Sequence, residues 1–402
     1  MTKRYKSATT AVRAGVEHDT HHGAVMPPLH LSVNFSFAGY NEPREYDYTR
    51  SGNPTRDLLG KAISDLDGGA GAVITASGMA AVTLLLQLIE PGEKVLVPHD
   101  CYGGSYRLFT AWARKRHFEL LVVDQTDPAA LAEGLAAKPR LVWIETPSNP
   151  LLRITDIAKV TELAHAVGAL VVVDNTFLSP ALQRALQYGA DFVLYSTTKY
   201  LNGHSDVVGG ALVSADPKRH EELDWWANCL GLTGAPFDSY LTLRGLRTLA
   251  ARMRVHEENA AAVAQLLSRH PAVTKIHYPG LPDHPGHSLA LRQQAGFGAM
   301  LGFELAGGER EIRAFLDGLD CFTLAESLGA VESLVAHPAT MTHSSMDPEA
   351  RRRAGISDSL LRLSVGIEAA SDLLADLEAG LDRAAAASAA PRLAIPARTS
   401  SR

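Results

Sequence analysis

FVLYSTTKYLNGHSD, residues 192–206, is a short apolar run that ends in small hydroxyl residues and a lysine, Lys199. A second run, ALVVVDNTF (169–177), closes with Asp174, 25 residues before that lysine. The same pattern recurs on either side: AVITAS (72–77), KVLVPHD (94–100), LLVVD (120–124), RLVWIETPS (140–148) and GALVS (210–214). Runs rich in Val, Ile and Leu without strict alternation read as strands buried on both faces of a largely parallel sheet, here of seven strands. Helical patterns separate them, such as DIAKVTELAHAVG (156–168), opened by Asp156 and stopped by Gly168, and PAALAEGLAA (128–137), opened by Asp127 and Pro128. Alternating strands and helices make residues 56–246 an α/β layered domain.

Beyond about Arg244 the pattern changes. The long helical stretch 247–270 leads into isolated strand candidates (VTKIHYP, AMLGFELAG, LLRLSVGI) and two helices (EREIRAFLDGL, SDLLADLEAGL), which predicts a smaller α+β domain over 247–385. Residues 1–55 carry scattered aromatics and prolines without a core pattern and read as an arm that needs a partner surface. Residues 386–402, poor in periodicity, read as a disordered tail.

Composition narrows the class. At 402 residues the chain is long for one core, so two domains are expected. A net charge of −6, with no basic run longer than Arg351–Arg353, argues against a nucleic-acid partner. Cys101, Cys229 and Cys321 stand far apart, suggesting neither a disulfide framework nor a zinc site, and a reducing cytoplasm fits. The opening MTKRYKSATTAVRAGVEHD has no apolar signal region and no stretch is long enough to cross a bilayer, so the expectation is a cytoplasmic protein with no membrane partner. His18, His21, His22, His284 and His287 fit no common ligand set, and no metal is expected.

The chemistry lies at the strand ends. An amine and a carboxylate there suit pyridoxal 5'-phosphate: the amine condenses with the aldehyde, and the carboxylate keeps the pyridine nitrogen protonated so that the ring accepts electrons from a substrate carbanion. On Lys199 and Asp174 alone, a surface turn and a solvated charge remain open. Ala76, Ser77, Gly78 and Met79 follow a strand and open a helix, where backbone N–H groups and the positive helix end can face a phosphate; an ordinary strand-to-helix turn is the alternative. Ser196 and Thr198 flank Lys199 at an offset that puts both hydroxyls on one side of an extended chain. Tyr102, before two glycines, can stack on a pyridine ring or serve packing. Arg362 is a charge inside an apolar strand and needs a partner, which a substrate carboxylate or an internal acid would supply.

Nine segments in order, DYTRSGNPTR, ASGMAA, HDCYGGSYRLF, ETPSNP, VVVDNTF, STTKYLNGHSDVVGG, LRGLRTL, FTLAESLGAVESL and RLSVGIE, together resemble the cysteine and methionine metabolism family of fold-type I pyridoxal phosphate enzymes. The resemblance covers all but the tail. It implies an aspartate aminotransferase-like fold and a homotetramer built as a dimer of dimers. It implies Lys199 as the lysine that condenses with the cofactor, Asp174 as partner of the ring nitrogen, Tyr102 as the stacking ring, and Gly78, Met79, Ser196 and Thr198 as the phosphate cradle. Asn149 would sit near the cofactor phenolic oxygen and the substrate carboxylate, Arg362 would hold that carboxylate, and Ser327 would help position Lys199. Arg107, Asp47 and Glu326 would contact substrate, the two acids through the ammonium of an incoming cysteine, with a solvated surface acid as the alternative for either. Tyr48 and Arg50 would reach the phosphate of a neighbouring subunit, so that each site is built from two chains.

Within the family, NEPREYDYTR, PHDCYGGSYRLF and LDWWANCLGLTGAPFDSYLTLRGLRTL lean toward the members that exchange the γ-substituent of an O-acylhomoserine for cysteine in transsulfuration. The implied reaction gives L-cystathionine and succinate from O-succinyl-L-homoserine. A sulfur-amino-acid lyase, sharing every cofactor residue, is the alternative. Ser51 stands where the best-studied type of these enzymes has a second arginine, which leaves the acyl group open.

Overall fold

The computed structural model describes residues 5–344, 346 and 348–389. Seven strands form the first sheet: β1 (Gly71–Thr75), β2 (Lys94–Pro98), β3 (Glu119–Val123), β4 (Leu141–Glu145), β5 (Leu170–Asp174), β6 (Phe192–Ser196) and β7 (Gly210–Ser214). Their order is β1-β7-β6-β5-β4-β2-β3, all parallel except β7, which runs against both neighbours. The expected seven-stranded, mostly parallel α/β domain is what the chain forms.

The missing alternation in the strand sequences has a direct cause. In β4, Val142 and Ile144 enter the core on one face while Leu141 and Trp143 enter the core on the other. Val171 and Val173 of β5 oppose Val172 in the same way, as Val193 and Tyr195 of β6 oppose Phe192 and Leu194. Both faces are apolar because helices cover both, and each fully buried Val, Leu or Phe contributes about 1.5–3 kcal/mol.

A second sheet, of order β10-β11-β12-β9-β8, contains β8 (Val273–His277), β9 (Met300–Leu305), β10 (Thr323–Leu324), β11 (Leu334–Ala336) and β12 (Leu360–Ser364). Leu361 and Leu363 of β12 pack into one core with residues of the helices Leu249–Leu267, Glu309–Leu316 and Ala370–Ala389. Period two then sends Arg362 to the opposite face. The last helix continues to Ala389, so residues 386–389 of the expected tail are helical; the remainder, 390–402, lies outside the described residues. Alanine is the strongest helix former, and the run from Ala384 needs no amphipathic pattern to extend an existing helix.

Among its described residues the arm contains one short helix, Ser7–Val12, and two isolated bridges, Asn34 with Tyr48 and Gly39 with Glu42. It is fastened where the first long helix begins: Asn53 caps Pro54–Asp67 by accepting from Thr55 and Arg56 N–H, and its amide donates to His30 O at 3.0 Å. Apolar side chains elsewhere on the arm face outward, with Val25, Leu31 and Tyr40 at 69%, 61% and 102% relative exposure. Among the described residues, no helix is long and apolar enough to cross a membrane.

Candidate active site

Period two decides which side chains meet at the carboxyl edge of the first sheet. Asp174 shares the face of Val172, Ser196 that of Leu194, and Glu145 that of Trp143, all above the core that also contains Ala81 and Val82 of the helix Gly78–Leu85. Strand register sets Glu145 opposite Asp174, Ser196 opposite Gly210, and Gly210 opposite Thr75. Thr176 ties two of these ends together: its N–H donates to Asp174 Oδ1 at 3.1 Å, and its hydroxyl oxygen accepts the N–H of Ser196 at 3.0 Å. Burial pushes both carboxyls above the ordinary range, Glu145 the further because the charge of Asp174 adds to it. Hydrogen bonds from Thr176 pull Asp174 partly back. Glu145 carries the signal that marked Asp174, an acid closing an apolar run, and sequence reading passed over it as part of the ETPSNP turn.

Gly78 begins a helix whose cap, Ser77, accepts the N–H of Ala80 at 3.0 Å. The N–H groups of Gly78 and Met79 lie in the first turn, outside the helix's own ladder. A Cβ at Gly78 would stand 3.0 Å from Ser196 Cβ and 3.3 Å from its Oγ, so the absence of a side chain lets the helix end approach that hydroxyl. Gly210 is needed more acutely, since a Cβ there would fall 2.3 Å from the carbonyl oxygen of Ser77. Thr198 Oγ1 accepts the N–H of Gly209 at 3.0 Å, which holds the residue before Lys199 against the start of β7.

Tyr102 precedes the helix Gly103–Arg114, and its N–H donates to Glu145 Oε2 at 2.8 Å. Its ring covers Gly104, where a Cβ would meet Cε1 at 2.5 Å. Burial raises the pKa of its hydroxyl and the charge of Glu326 raises it further, while Arg107 and Arg362 draw it down. The expected substrate residues Arg107 and Glu326 thus both act on this hydroxyl.

The second domain reaches the same place through one hydrogen-bond chain. Lys199 Nζ donates to Ser327 Oγ at 2.9 Å, Arg362 Nη2 donates to the Ser327 carbonyl at 2.8 Å, and Arg362 Nη1 donates to Asn149 Oδ1 at 3.1 Å. Ser327 adopts a φ of 82°, a left-handed conformation uncommon for a residue with a side chain. Burial, then the positive charge of Arg362, lowers the Lys199 amine to about 8, with Glu326 opposing. Arg362 is 3% exposed, its Nε is buried without a partner, and burial lowers it to about 10. No carboxylate pairs with this guanidinium among the described residues.

Tyr48, Arg50 and Asp47 are not brought to Lys199 within the chain. Arg50 Nε donates to Asn228 Oδ1 at 3.0 Å, its guanidinium lies 5.5 Å from the centroid of the Tyr48 ring, and Asp47 accepts the N–H of Tyr48.

The donor set fits a phosphorylated pyridine aldehyde. An amine at about 8 is available for condensation, a helix end with a facing hydroxyl suits a phosphate, and Asp174 has no cationic partner among the described residues to balance its charge. Residues 8–382 match the family model described as Cys/Met metabolism PLP-dependent enzyme. The chain is 58% identical to a cystathionine γ-synthase of Escherichia coli (strain K12) over 93% of its own length and 97% of that protein's. It is 44% identical to a cystathionine γ-lyase of Dictyostelium discoideum, covering 94% and 98%. It also resembles the crystal structure of a cystathionine γ-synthase from Xanthomonas oryzae pv. oryzae in complex with cystathionine, with a TM-score of 0.95, 65% identity and coverage of 96% and 100%. The chain therefore belongs to the Cys/Met metabolism family of PLP-dependent enzymes, has the fold-type I architecture, and takes pyridoxal 5'-phosphate as its cofactor.

Proposed function

We propose that the protein is a cystathionine γ-synthase, replacing the succinyl group of O-succinyl-L-homoserine with L-cysteine to give L-cystathionine and succinate. The observation that carries this reading is the chain from Lys199 through Ser327 and Arg362 to Asn149, which sets a depressed amine beside a buried guanidinium that no carboxylate pairs among the described residues. An α-amino acid supplies the missing carboxylate. Similarity to γ-synthases at 58% and 65% identity, against 44% for the γ-lyase, supports replacement over elimination.

In this reading Gly78, Met79, Ser196 and Thr198 hold the cofactor phosphate, Asp174 the ring nitrogen and Tyr102 the ring face. Bound there, pyridoxal phosphate supplies an electron sink for charge developing at the substrate Cα. Arg362 and Asn149 clamp the substrate carboxylate and fix Cα near Lys199. Nζ of Lys199 removes the Cα proton and a Cβ proton, succinate leaves Cγ with the C–O electron pair, the cysteine sulfur bonds to Cγ as its thiol proton passes to solvent, and protons return to Cβ and Cα through Nζ. Ser327 orients Nζ between these transfers. Glu326 and Asp47 bind the ammonium of the incoming cysteine, and Arg107 contacts substrate beside Tyr102. The outward-facing apolar residues of the arm support a shared site, in which Tyr48 and Arg50 serve the phosphate of a neighbouring subunit in a cytoplasmic homotetramer, a dimer of dimers.

Ser51 favours a second reading, a sulfur-amino-acid lyase, because no second positive charge follows Arg50 to meet the distal carboxylate of a succinyl ester. Incubating the holoenzyme with O-succinylhomoserine, with and without cysteine, separates the two. Cystathionine as the main product with cysteine, and slower release of 2-oxobutyrate and ammonia without it, is the expected result; equal elimination in both sets the synthase reading aside.

A further inference from the structure

Asn149 is held at two points by the second domain, and only one of them is Arg362. The other is His343, in the irregular segment after β11, whose imidazole is 0% exposed. Its Nε2 lies 3.1 Å from the carbonyl oxygen of Asn149, and its Nδ1 lies 2.9 Å from Thr342 Oγ1. A carbonyl oxygen only accepts, so Nε2 carries the proton and donates; Nδ1 is then the lone pair that accepts the threonine hydroxyl. This neutral tautomer satisfies both ring nitrogens. Burial, followed by the nearby charge of Arg362, keeps the ring neutral by lowering it to about 4.

The rest of the turn is anchored from the first domain. Ser148 Oγ donates to Asp100 Oδ2 at 2.7 Å, and Arg153 Nη1 donates to the same oxygen at 2.8 Å. The Ser148 N–H donates to the Arg153 carbonyl at 3.0 Å, its carbonyl accepts the Leu152 N–H at 2.9 Å, and the Asn149 N–H donates to the Glu145 carboxylate, which leaves the Asn149 carbonyl to be held from the second domain. His343 supplies that hold at the carbonyl of Asn149, while Arg362 orients the side-chain amide at 3.1 Å.

We infer that His343 is a positioning residue for substrate binding: by fixing the Asn149 backbone it aims the Asn149 amide and the Arg362 guanidinium together at the substrate carboxylate. This rests on the reading that Arg362 and Asn149 bind that carboxylate. His343 does not itself touch substrate or cofactor. Its loss therefore weakens ground-state binding through the carboxylate and leaves the proton transfers at Lys199 in place.

The test uses the holoenzyme and four variants: His343→Ala, His343→Gln, Thr342→Val and Arg362→Leu. Each is assayed for KM and kcat with O-succinylhomoserine and for competitive inhibition by propionate, a bare carboxylate. His343→Ala is expected to raise KM and the propionate inhibition constant together, by about three- to tenfold, with kcat within about twofold. His343→Gln, whose amide N–H stands near the position of Nε2, is expected to recover most of the loss. Thr342→Val removes the bond that fixes the tautomer and is expected to shift the same two constants in the same direction by a smaller factor. Thr342→Val also decides the matter should His343→Ala not fold. The inference is overturned if KM and the propionate constant stay unchanged, if kcat falls instead, or if Gln is no better than Ala. Arg362→Leu separates the two levels: propionate inhibition that survives it refutes the carboxylate reading, whereas inhibition lost there but unmoved in the His343 and Thr342 variants refutes only the role of His343.

Discussion

The carboxyl edge of the first sheet and the N-terminal arm carry residues expected at one site, yet they are built in opposite ways. At the edge the central groups are held by their own chain: Lys199 donates to Ser327, Asp174 accepts from Thr176, and Gly78 abuts Ser196. On the arm, Tyr48 and Arg50 contact one another and Asn228, while Val25, Leu31 and Tyr40 lie open to solvent. A buried strand end fixes its side chain through the core on both faces. An arm with little core of its own is positioned by whatever covers it. The edge therefore accounts for the chemistry within one chain, and the proposed shared site accounts for the arm.

The largest effects should come from the edge. Lys199→Ala removes the group that carries both proton transfers and should lower kcat/KM by about 10⁴-fold or more, with no rescue by any change in the arm. Borohydride reduction of the native holoenzyme should leave a pyridoxyl label on the peptide containing Lys199, and a label on another lysine would contradict the assignment. Asp174→Ala should cost about 10²–10³-fold in kcat while retaining more cofactor by absorbance than activity, because the phosphate cradle is untouched.

Mixing tests the contrast itself. Arg50→Ala chains and Lys199→Ala chains, each inactive alone, should regain activity after subunit exchange, because one site of a mixed dimer receives intact residues from both. Demonstrated heterodimers without recovery would place the arm in its own chain's site. A smaller effect is expected from Glu326→Gln. Burial and Arg362 bring the Lys199 amine down to about 8 against the opposing charge of Glu326. Since the proton-accepting form is the neutral amine, activity governed by it rises with pH through that value. Removing the acid lowers the pKa, so the rising limb of the kcat–pH profile should move to lower pH; a shift upward would contradict this electrostatic account. The smallest effect belongs to Ser51→Arg, which should lower KM for the succinyl ester by about two- to threefold relative to the acetyl ester.

The edge was the legible part of the sequence because its signals are local. Seven apolar runs, a lysine after hydroxyls, an acid closing a run and a charge inside LLRLSVGI each announce themselves within a few residues. Glu145 carries an equally local signal, an acid closing an apolar run, but the turn residues directly after it disguise it as part of that turn. His343 had no such signal. It sits in an irregular segment, and its partner lies 194 residues away, so no periodicity records the contact. The geometry of Ser327, with its positive φ, was likewise invisible until the domains were docked. The end of the last helix was misplaced because an alanine run has propensity but no pattern.

The central claim is that the amine at Lys199 and the carboxylate clamp at Arg362 and Asn149 serve replacement at Cγ. The most direct measurement compares, on one preparation of holoenzyme, the rate of cystathionine formation from O-succinylhomoserine and cysteine with the rate of cystathionine cleavage to cysteine and 2-oxobutyrate. Formation should be much the faster. Cleavage outrunning formation would contradict the account and make the protein a lyase built on the same residues.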